Sequence, residues 1–174
     1  MATKQDALAT EYYQNYIKLS PDDNVVKALE RNTKNFRRLL KKIPRKKVDK
    51  AYAEGKWTIK ELLQHIIDAE RVFAYRAITF ARKDSAALPS FDENAWAANS
   101  LAVQRDWKDM IEEFKSLRAA SEKMFSSFDD SQLRSIGNAS GKDINVLALG
   151  YIMSGHVEHH INIIKERYLR KNGQ

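Results

Sequence analysis

Apolar residues recur at steps of three and four along four long stretches of this chain. This period is typical of helices with one buried face, whereas the period-two alternation of a half-buried strand is hard to find. The small number of turn-forming residues, six Gly and three Pro, also disfavours a sandwich or barrel with many tight turns. We therefore predict four long helices, over about residues 24–42, 58–82, 101–128 and 143–170.

Polar residues suited to capping precede three of these predicted helices. Asp22 and Asp23 are the candidates for the first helix. Thr58 and Glu61 stand three residues apart at the start of the second helix, which is the spacing of a capping box. Asp143 is the candidate for the fourth helix. The third predicted helix contains no histidine.

Length and connectivity indicate a single all-α domain. Residues 1–174 suffice for one sizeable core, with residues 1–22 as an N-terminal extension. Four long helices with mostly modest connections indicate a four-helix bundle. The absence of Cys excludes a disulfide scaffold, a thiolate metal site and a cysteine nucleophile. Because no membrane-span-length apolar stretch and no signal-peptide pattern are found, we expect a cytoplasmic protein without a membrane partner.

The positive charge is concentrated in one part of the chain. Residues 27–50 contain eleven Lys and Arg against two acids, a local charge of +9, whereas the whole chain carries +7. Five of these basic residues follow one helical stripe opposite an apolar one, which is the pattern of a solvated helix face. No helix-turn-helix, aromatic RNA-binding or zinc-finger motif accompanies them. We predict no specific nucleic-acid partner.

Three of the four histidines fall on apolar helix faces. His156 and His160 continue an apolar stripe along the fourth predicted helix, and His65 occupies a similar stripe on the second. His159 lies about 100° round the helix from His160, so we expect it at the margin. These positions predict that three imidazoles converge in an apolar interior.

A single histidine on such a face is commonly a buried side chain with one hydrogen-bond partner. Three together favour a metal site, because burying unpartnered imidazoles costs about 1–3 kcal/mol each, whereas a divalent ion satisfies one nitrogen of every ring. Histidines four apart lie about 6 Å apart along the axis, so both rings can turn toward one ion. Three histidines without a fourth strong protein ligand form an open, catalytic type of site, whereas a closed structural site has four.

The register of these residues excludes two other metal motifs. A zincin needs Glu directly after the first His, but Val157 follows His156, and Glu158 lies about 200° round the helix. Di-iron bundles need Glu three residues before His, but Leu62 and Met153 occupy those positions.

Three stretches of the chain resemble the DinB-like superfamily, which includes the YfiT-like metal-dependent hydrolases: KWTIKELLQHIIDAERVFAYRAITFAR, LPSFDENAW and GHVEHHINIIKERYL. The most specific part is the pairing of W-[ST]-x-x-E-x-x-x-H on one helix with G-H-x-x-H-H on the last. The resemblance implies an antiparallel four-helix bundle in which His65, His156 and His160 hold a zinc or nickel ion between the second and last long helices. Some relatives are thiol S-transferases, which couple low-molecular-weight thiols to electrophiles.

Three further residues are candidates for the same site. Asp68, one turn after His65, is a candidate for orienting an imidazole, for binding the metal, or for acting as a base on metal-bound water or a thiol. Arg76 is a candidate for binding a substrate carboxylate, with an ion pair to an acid such as Glu70 or Asp84 as the ordinary alternative. Trp96 is a candidate for covering a substrate cleft, although a Trp is equally expected in packing.

Two function classes follow from the sequence. The first is a metal-dependent enzyme in which a divalent ion activates water or a thiol for reaction with a small-molecule substrate. The second is a non-catalytic, metal-stabilised bundle that acts as a stress-associated binding protein. A thiol cosubstrate and a homodimer are left open.

Overall fold

Seven α-helices and one β-hairpin are found in residues 2–170, the part of the chain that the computed structural model describes. In chain order they are α1 (Glu11–Leu19), α2 (Val25–Lys42), α3 (Ile59–Ala81), α4 (Glu93–Asn99), α5 (Trp107–Ser126), α6 (Asp130–Arg134), β1 (Ile136–Ala139), β2 (Lys142–Asn145) and α7 (Val146–Ile163). Short 3-10 turns lie at Lys4–Asp6, Arg45–Lys47 and Ala102–Gln104, and a π-helical turn at Ile164–Tyr168 follows α7 directly.

The four long helices α2, α3, α5 and α7 form the predicted bundle, so the all-α four-helix prediction is confirmed. Helix α7 packs against both α2 and α3, and α5 packs against the same two helices. Helices α2 and α3, consecutive in the chain, therefore lie at opposite corners of the bundle. This arrangement brings the inner face of α3 directly onto α7, where the histidine-bearing faces meet.

The core consists of two apolar clusters, and α3 and α7 contribute to both. A buried ion pair lies among the four long helices, with Arg118 Nη2 2.8 Å from Glu70 Oε2. Arg118 also donates hydrogen bonds to Asn32 Oδ1 and to the backbone oxygen of Met153. Arg118 thus contacts α2, α3 and α7 from α5, and removing either member of the buried pair would leave an uncompensated charge.

The helix starts match the sequence predictions in one case and differ in two. The capping box of Thr58 and Glu61 at the start of α3 is confirmed. Asn24 caps α2 instead of Asp22 or Asp23, because Asp22 accepts a hydrogen bond from the Asn24 backbone and so fixes the turn before the helix. Asn145 caps α7.

Asp143 does not cap α7, because it lies within strand β2 and accepts a hydrogen bond from Asn138 across the hairpin. The turn of this hairpin is formed by Ser140 and Gly141, which both have positive φ, at 57° and 73°. Two such residues match the right-handed twist of the strands that they connect. Strands of four residues are too short to show a period-two pattern, so the pattern of apolar residues did not predict them.

Helix α5 begins later than predicted. Leu101 has a φ of 52°, a left-handed conformation that an α-helix cannot include, and Asp106 provides the cap for the helix five residues later. The polar loop before it contains the short helix α4, which Asp92 caps. These differences matter because α4 and the residues preceding it form one wall of the candidate site.

The predicted N-terminal extension contains α1, which lies directly on α7. A Cβ atom added to Gly155 would stand 1.7 Å from the backbone oxygen of Tyr16, so only glycine allows this approach. The contact places the aromatic face of α1 beside the histidines of α7. Across residues 2–170, helices that combine the length and the apolar character needed to cross a bilayer are absent.

Candidate metal centre

The three inward-facing histidines meet between α3 and α7. His65 Nε2 lies 3.0 Å from His156 Nε2, and His156 Nε2 lies 3.0 Å from His160 Nε2. One nitrogen from each ring can be chosen so that all three lie within 4.8 Å of one another. The predicted convergence of these side chains is therefore present in the folded chain.

The neighbouring residues on α7 face elsewhere, as the helical register predicts. His159 is half-buried at the margin, where its ring contacts the edge of Tyr16 with the centroids 5.6 Å apart. Glu158 accepts a hydrogen bond of 2.7 Å from Asn32 on α2. The helical register thus places His156 and His160 in the cluster and places the two polar residues between them, Glu158 and His159, outside it.

Protein hydrogen bonds do not satisfy this cluster. A neutral imidazole has one N–H and one lone pair, so His156 Nε2 can form a full hydrogen bond with only one of the two nitrogens that face it. His160 Nδ1 is buried and has no hydrogen-bond partner in residues 2–170. An ion at the centre of the three rings would bind the Nε2 lone pairs that protein hydrogen bonds leave unsatisfied, whereas His160 Nδ1 would still need a partner of its own.

Burial keeps the three rings neutral. It lowers the pKa of His65 to about 4, with a smaller contribution from the charge of His159. It also lowers the pKa values of His156 and His160 well below their ordinary range, and the neighbouring imidazoles add to the effect. Neutral imidazole is the form that binds metals, so the rings are in the required state at neutral pH.

The spacing of the nitrogens fits a divalent transition metal. Two nitrogens that each lie about 2.0–2.1 Å from one ion are separated by about 3 Å or slightly more, depending on the bond angle. The separations of 3.0 Å in this cluster match that value. The donor set of three imidazoles suits zinc, nickel, copper or iron better than magnesium or calcium, which prefer oxygen.

A cavity of about 400 Å³ adjoins the cluster, within the range of small-molecule sites. Aromatic side chains supply much of its wall, and exposed residues such as Tyr12 at its edge connect it with solvent. Besides the three histidines, its lining residues are Tyr12, Tyr13, Tyr16, Trp57, Ala69, Phe73, Arg76, Ser90, Phe91, Glu93 and Ser140.

Arg76 is the one charged side chain of this cavity that is buried. Its Nη2 donates hydrogen bonds to the backbone oxygen of Pro89 at 2.7 Å and to Ser140 Oγ at 3.1 Å. The alternative of an ion pair along α3 is not formed, because Glu70 pairs with Arg118 and Asp84 accepts from the backbone of its own turn.

Asp68 and Trp96 lie in a separate, shallower depression next to the histidine cavity. Asp68 accepts a hydrogen bond of 2.9 Å from Gln64 Nε2, and Arg71 lies 3.7 Å away. Burial raises the pKa of Asp68. Trp96 packs against Phe91, and Phe91 also lines the histidine cavity. Trp96 therefore supports the wall of that cavity from its outer side. The structure thus brings Asp68 and Trp96 together with each other and places the histidines and Arg76 in the neighbouring cavity.

The sequence prediction missed the contribution of the N-terminal helix. Tyr12, Tyr13 and Tyr16 of α1 all line the cavity, and Tyr16 contacts His156 edge-on with ring centroids 5.5 Å apart. Tyr13 and Tyr16 follow Tyr12 by one and four residues, which is the spacing of a single helix face. The stretch EYYQNY therefore indicates an amphipathic helix. Nothing in that spacing shows which part of the bundle the helix covers.

Comparison with known proteins gives matches over most of the chain. A curated protein of Oceanobacillus iheyensis, named "Putative metal-dependent hydrolase", is 26% identical over 145 residues, which cover 80% of this chain and 81% of that protein. The solved structure of YfiT from Bacillus subtilis, described as a probable metal-dependent hydrolase with an unusual four-helix bundle topology, superposes with a TM-score of 0.69. It covers 91% of this chain and 87% of its own at 17% identity, and at that identity the likeness shows a shared fold.

A sequence model of the DinB superfamily matches residues 28–164, from the start of α2 to the end of α7. The matched range includes all four bundle helices and the three clustered histidines. Helix α1, with Tyr12, Tyr13 and Tyr16, lies outside the matched range. The chain belongs to the DinB superfamily.

Proposed function

We propose that this protein is a metal-dependent enzyme in which His65, His156 and His160 hold one divalent ion beside a small-molecule cavity. The observation that carries the proposal is the meeting of three imidazoles in the wall of that cavity, where His156 Nε2 lies 3.0 Å from Nε2 of both His65 and His160. The names given to the related proteins, as metal-dependent hydrolases, agree with this chemistry. Zinc and nickel are the ions that we propose.

An ion held by three neutral imidazoles keeps its full positive charge and can lower the pKa of water or of a thiol in a remaining coordination position. The chain contributes the rest of the site. Tyr16 and Trp57 pack edge-on or tilted against His156 and His65 and so limit rotation of those rings. The aromatic wall favours substrates with an apolar body.

Hydrolysis and thiol transfer use the same activated nucleophile in different ways. In hydrolysis water attacks the substrate, whereas in thiol transfer a low-molecular-weight thiol attacks an electrophile. The relatives' names favour hydrolysis, and the resemblance to thiol S-transferases keeps thiols in the substrate screen. We therefore propose a screen that pairs hydrolysable esters and amides with thiol and electrophile combinations.

The alternative, a non-catalytic bundle stabilised by the ion, rests on one observation. The histidines connect α3 with α7, so an ion at this position would hold the two helices together. The cavity beside the cluster favours the enzyme, because a stabilising site needs no access for a small molecule. A fourth protein ligand that closes the ion off from solvent would favour the scaffold.

The first test replaces each histidine with Ala and measures metal content in protein purified without an affinity tag. Loss of one of three ligands should lower metal affinity by at least tenfold to a hundredfold for His65, His156 and His160. His159→Ala is the matched control, since this neighbouring ring lies outside the cluster, and it should retain the ion. Loss of binding in His159→Ala with retention in His156→Ala would contradict the assignment.

The second measurement uses a substrate found in the screen. Removal of the ion with a chelator should abolish turnover, and addition of zinc or nickel should restore it. Full activity of metal-free protein would show that the proposal is wrong. Metal binding without turnover, together with a crystal structure in which protein atoms fill every coordination position, would support the scaffold instead.

A further inference from the structure

A buried positive charge lies in the histidine cavity without a negative partner. The side chain of Arg76 is almost fully enclosed, with 3% of the residue exposed. Within residues 2–170, acidic side chains that form an ion pair with Arg76 are absent. Arginine keeps its charge at any physiological pH, and a buried charge is unfavourable unless an opposite charge compensates it.

The protein orients this guanidinium without neutralising it. Both hydrogen bonds of Arg76 are donated by Nη2, to the oxygen of Pro89 and to the hydroxyl of Ser140. Nη1 and Nε of Arg76 have no protein acceptor within residues 2–170, and they are not among the buried, unpartnered nitrogens there, which belong to Arg37, Arg118 and His160. Two donors of a fixed fork therefore remain for an acceptor in the cavity.

Arg76 shares one stripe of α3 with the metal cluster. His65, Ala69, Phe73 and Arg76 advance by steps of four, four and three, and all four line the cavity. At 1.5 Å per residue, about 16 Å of helix separate the first from the last. The surface between them is apolar.

We infer that Arg76 binds the carboxylate of a substrate whose reacting group lies at the histidines and whose apolar or aromatic body rests on Ala69 and Phe73. This deepens the proposed function, on which the position of the reacting end depends. A carboxylate fits better than a phosphate, because the cavity offers a single cationic side chain and the exposed Glu93 at its edge would repel a second negative charge.

The test uses the zinc-loaded full chain and two series of probes measured by calorimetry. The first series compares ω-mercaptoalkanoates of increasing chain length with the ω-mercaptoalkanols of matching length. The second compares ω-phenylalkanoates with ω-phenylalkanols, which lack a thiol. The acid of each pair should bind about tenfold to a hundredfold more tightly than the alcohol at the best chain length, as expected for a hydrogen bond between charged groups.

Variants assign that preference to Arg76. Arg76→Gln should bind acid and alcohol equally, Arg76→Lys should retain part of the preference, and Glu93→Gln, which removes an acid from the same cavity, should not reduce it. Equal binding of acid and alcohol by the unmodified protein in both series would overturn the inference, and this comparison needs no variant to fold. A preference that survives in folded Arg76→Gln would also overturn it.

The two probe series separate this inference from the proposed function. Acid preference for the phenylalkanoates that is lost in Arg76→Gln supports the Arg76 site by itself. If the mercapto compounds bind no better than the phenyl compounds in the same protein, the proposal that the metal ion has an accessible coordination position is wrong. The proposed carboxylate site at Arg76 is then unaffected. If thiols bind tightly without acid preference, the metal position stands and the Arg76 site is overturned.

Discussion

At the scale of single residues, the chemistry of the site depends on keeping three imidazoles neutral and close together. Burial lowers the pKa values of His65, His156 and His160, so the cost of assembling them is a loss of solvation and not a repulsion between charges. The same burial leaves His160 Nδ1 without a partner.

Asp68 is the proposed proton acceptor. A proton acceptor must come within hydrogen-bond reach of the reacting proton, directly or through one water, and because Asp68 lines the depression beside the histidine cavity, this role requires a bridging water. We expect Asp68→Asn to slow turnover of a found substrate more than it lowers metal affinity. Glu113→Gln is the matched control, because Glu113 belongs to the same network through Arg71 but does not line that depression.

The contrary result for Asp68 is equally informative. Equal turnover in Asp68→Asn and in the unmodified protein would assign Asp68 to the polar network around Gln64 and Arg71. Rates of turnover and metal affinity, measured on the same preparations, distinguish the two roles.

At the scale of elements, the fit of α1 on α7 depends on one glycine. Gly155→Ala would place a Cβ atom 1.7 Å from the backbone oxygen of Tyr16, which must move. We expect this change to lower the free energy of unfolding by about 1–3 kcal/mol and to displace α1 from His156. In a helix without that contact, a Gly to Ala change would raise the free energy of unfolding by about 1 kcal/mol. The sign of the measured change therefore shows whether the close contact with Tyr16 is present.

Chemical denaturation gives the stability of Gly155→Ala, and tyrosine resonances in NMR spectra report whether α1 has moved. Gly55→Ala is the control. Gly55 has a φ of 69° and no atom within 4 Å of an added Cβ, so this change adds backbone strain without a collision. The control should lower stability without altering the α1 signals.

The turn before α1 is connected with α6 by an ion pair between Asp6 and Arg134 at 2.8 Å. The Arg134 guanidinium, with the backbone of Thr3, lowers the pKa of Asp6 from 3.8 to about 2. Because the pKa is lowered in the folded protein, the pair stabilises the fold above pH 3.8, and this contribution disappears as the pH falls from about 3.8 to 2.

Carboxylate titration by NMR tests the Asp6 prediction. In Arg134→Gln the pKa of Asp6 should return most of the way toward 3.8, and the difference in acid stability between this variant and the unmodified protein should vanish below about pH 2. An unchanged pKa would show that the ion pair is not formed in solution. The expected effect on stability is small, because both side chains are exposed to solvent.

At the scale of the whole molecule, the positive charge is segregated from the cavity. The basic face of α2 borders a groove lined by Lys34, Arg37, Arg38 and Lys41, whereas the histidine cavity contains Arg76 and Glu93 as its charged residues. We predict that the basic segment is a solvated surface and that it does not bind nucleic acid with sequence preference. Filter binding with several duplex and single-stranded sequences checks this.

Any attraction between the basic segment and nucleic acid should be equal for all sequences and should weaken steeply with added salt. Charge reversal at Lys34 and Arg38 should remove it, while the same change at Lys115 and Lys123, on α5, should have less effect. Nanomolar affinity for one sequence at physiological salt would contradict the prediction.

The helical period of the sequence determined the four-helix bundle. Each long helix has one apolar stripe that must be buried, and packing the four helices together buries all four stripes. It also determined that His65, His156 and His160 face inward, since residues four apart on a helix share a face whatever the partner helix is. The capping box of Thr58 and Glu61 was equally local, and it is the helix start that the structure confirmed.

Only the tertiary structure decided what surrounds the histidines. The packing of α1 on Gly155 and the placement of Ser140 by the hairpin depend on contacts between residues far apart in the chain. So does the lack of an ion-pair partner for Arg76 within residues 2–170. No periodicity records such contacts, because they follow from how the helices pack and not from any one helix. The same packing placed Asp68 outside the cavity, although it lies one turn from His65, because Asp68 lies about 60° round α3 from His65, on the side away from Ala69 and Phe73.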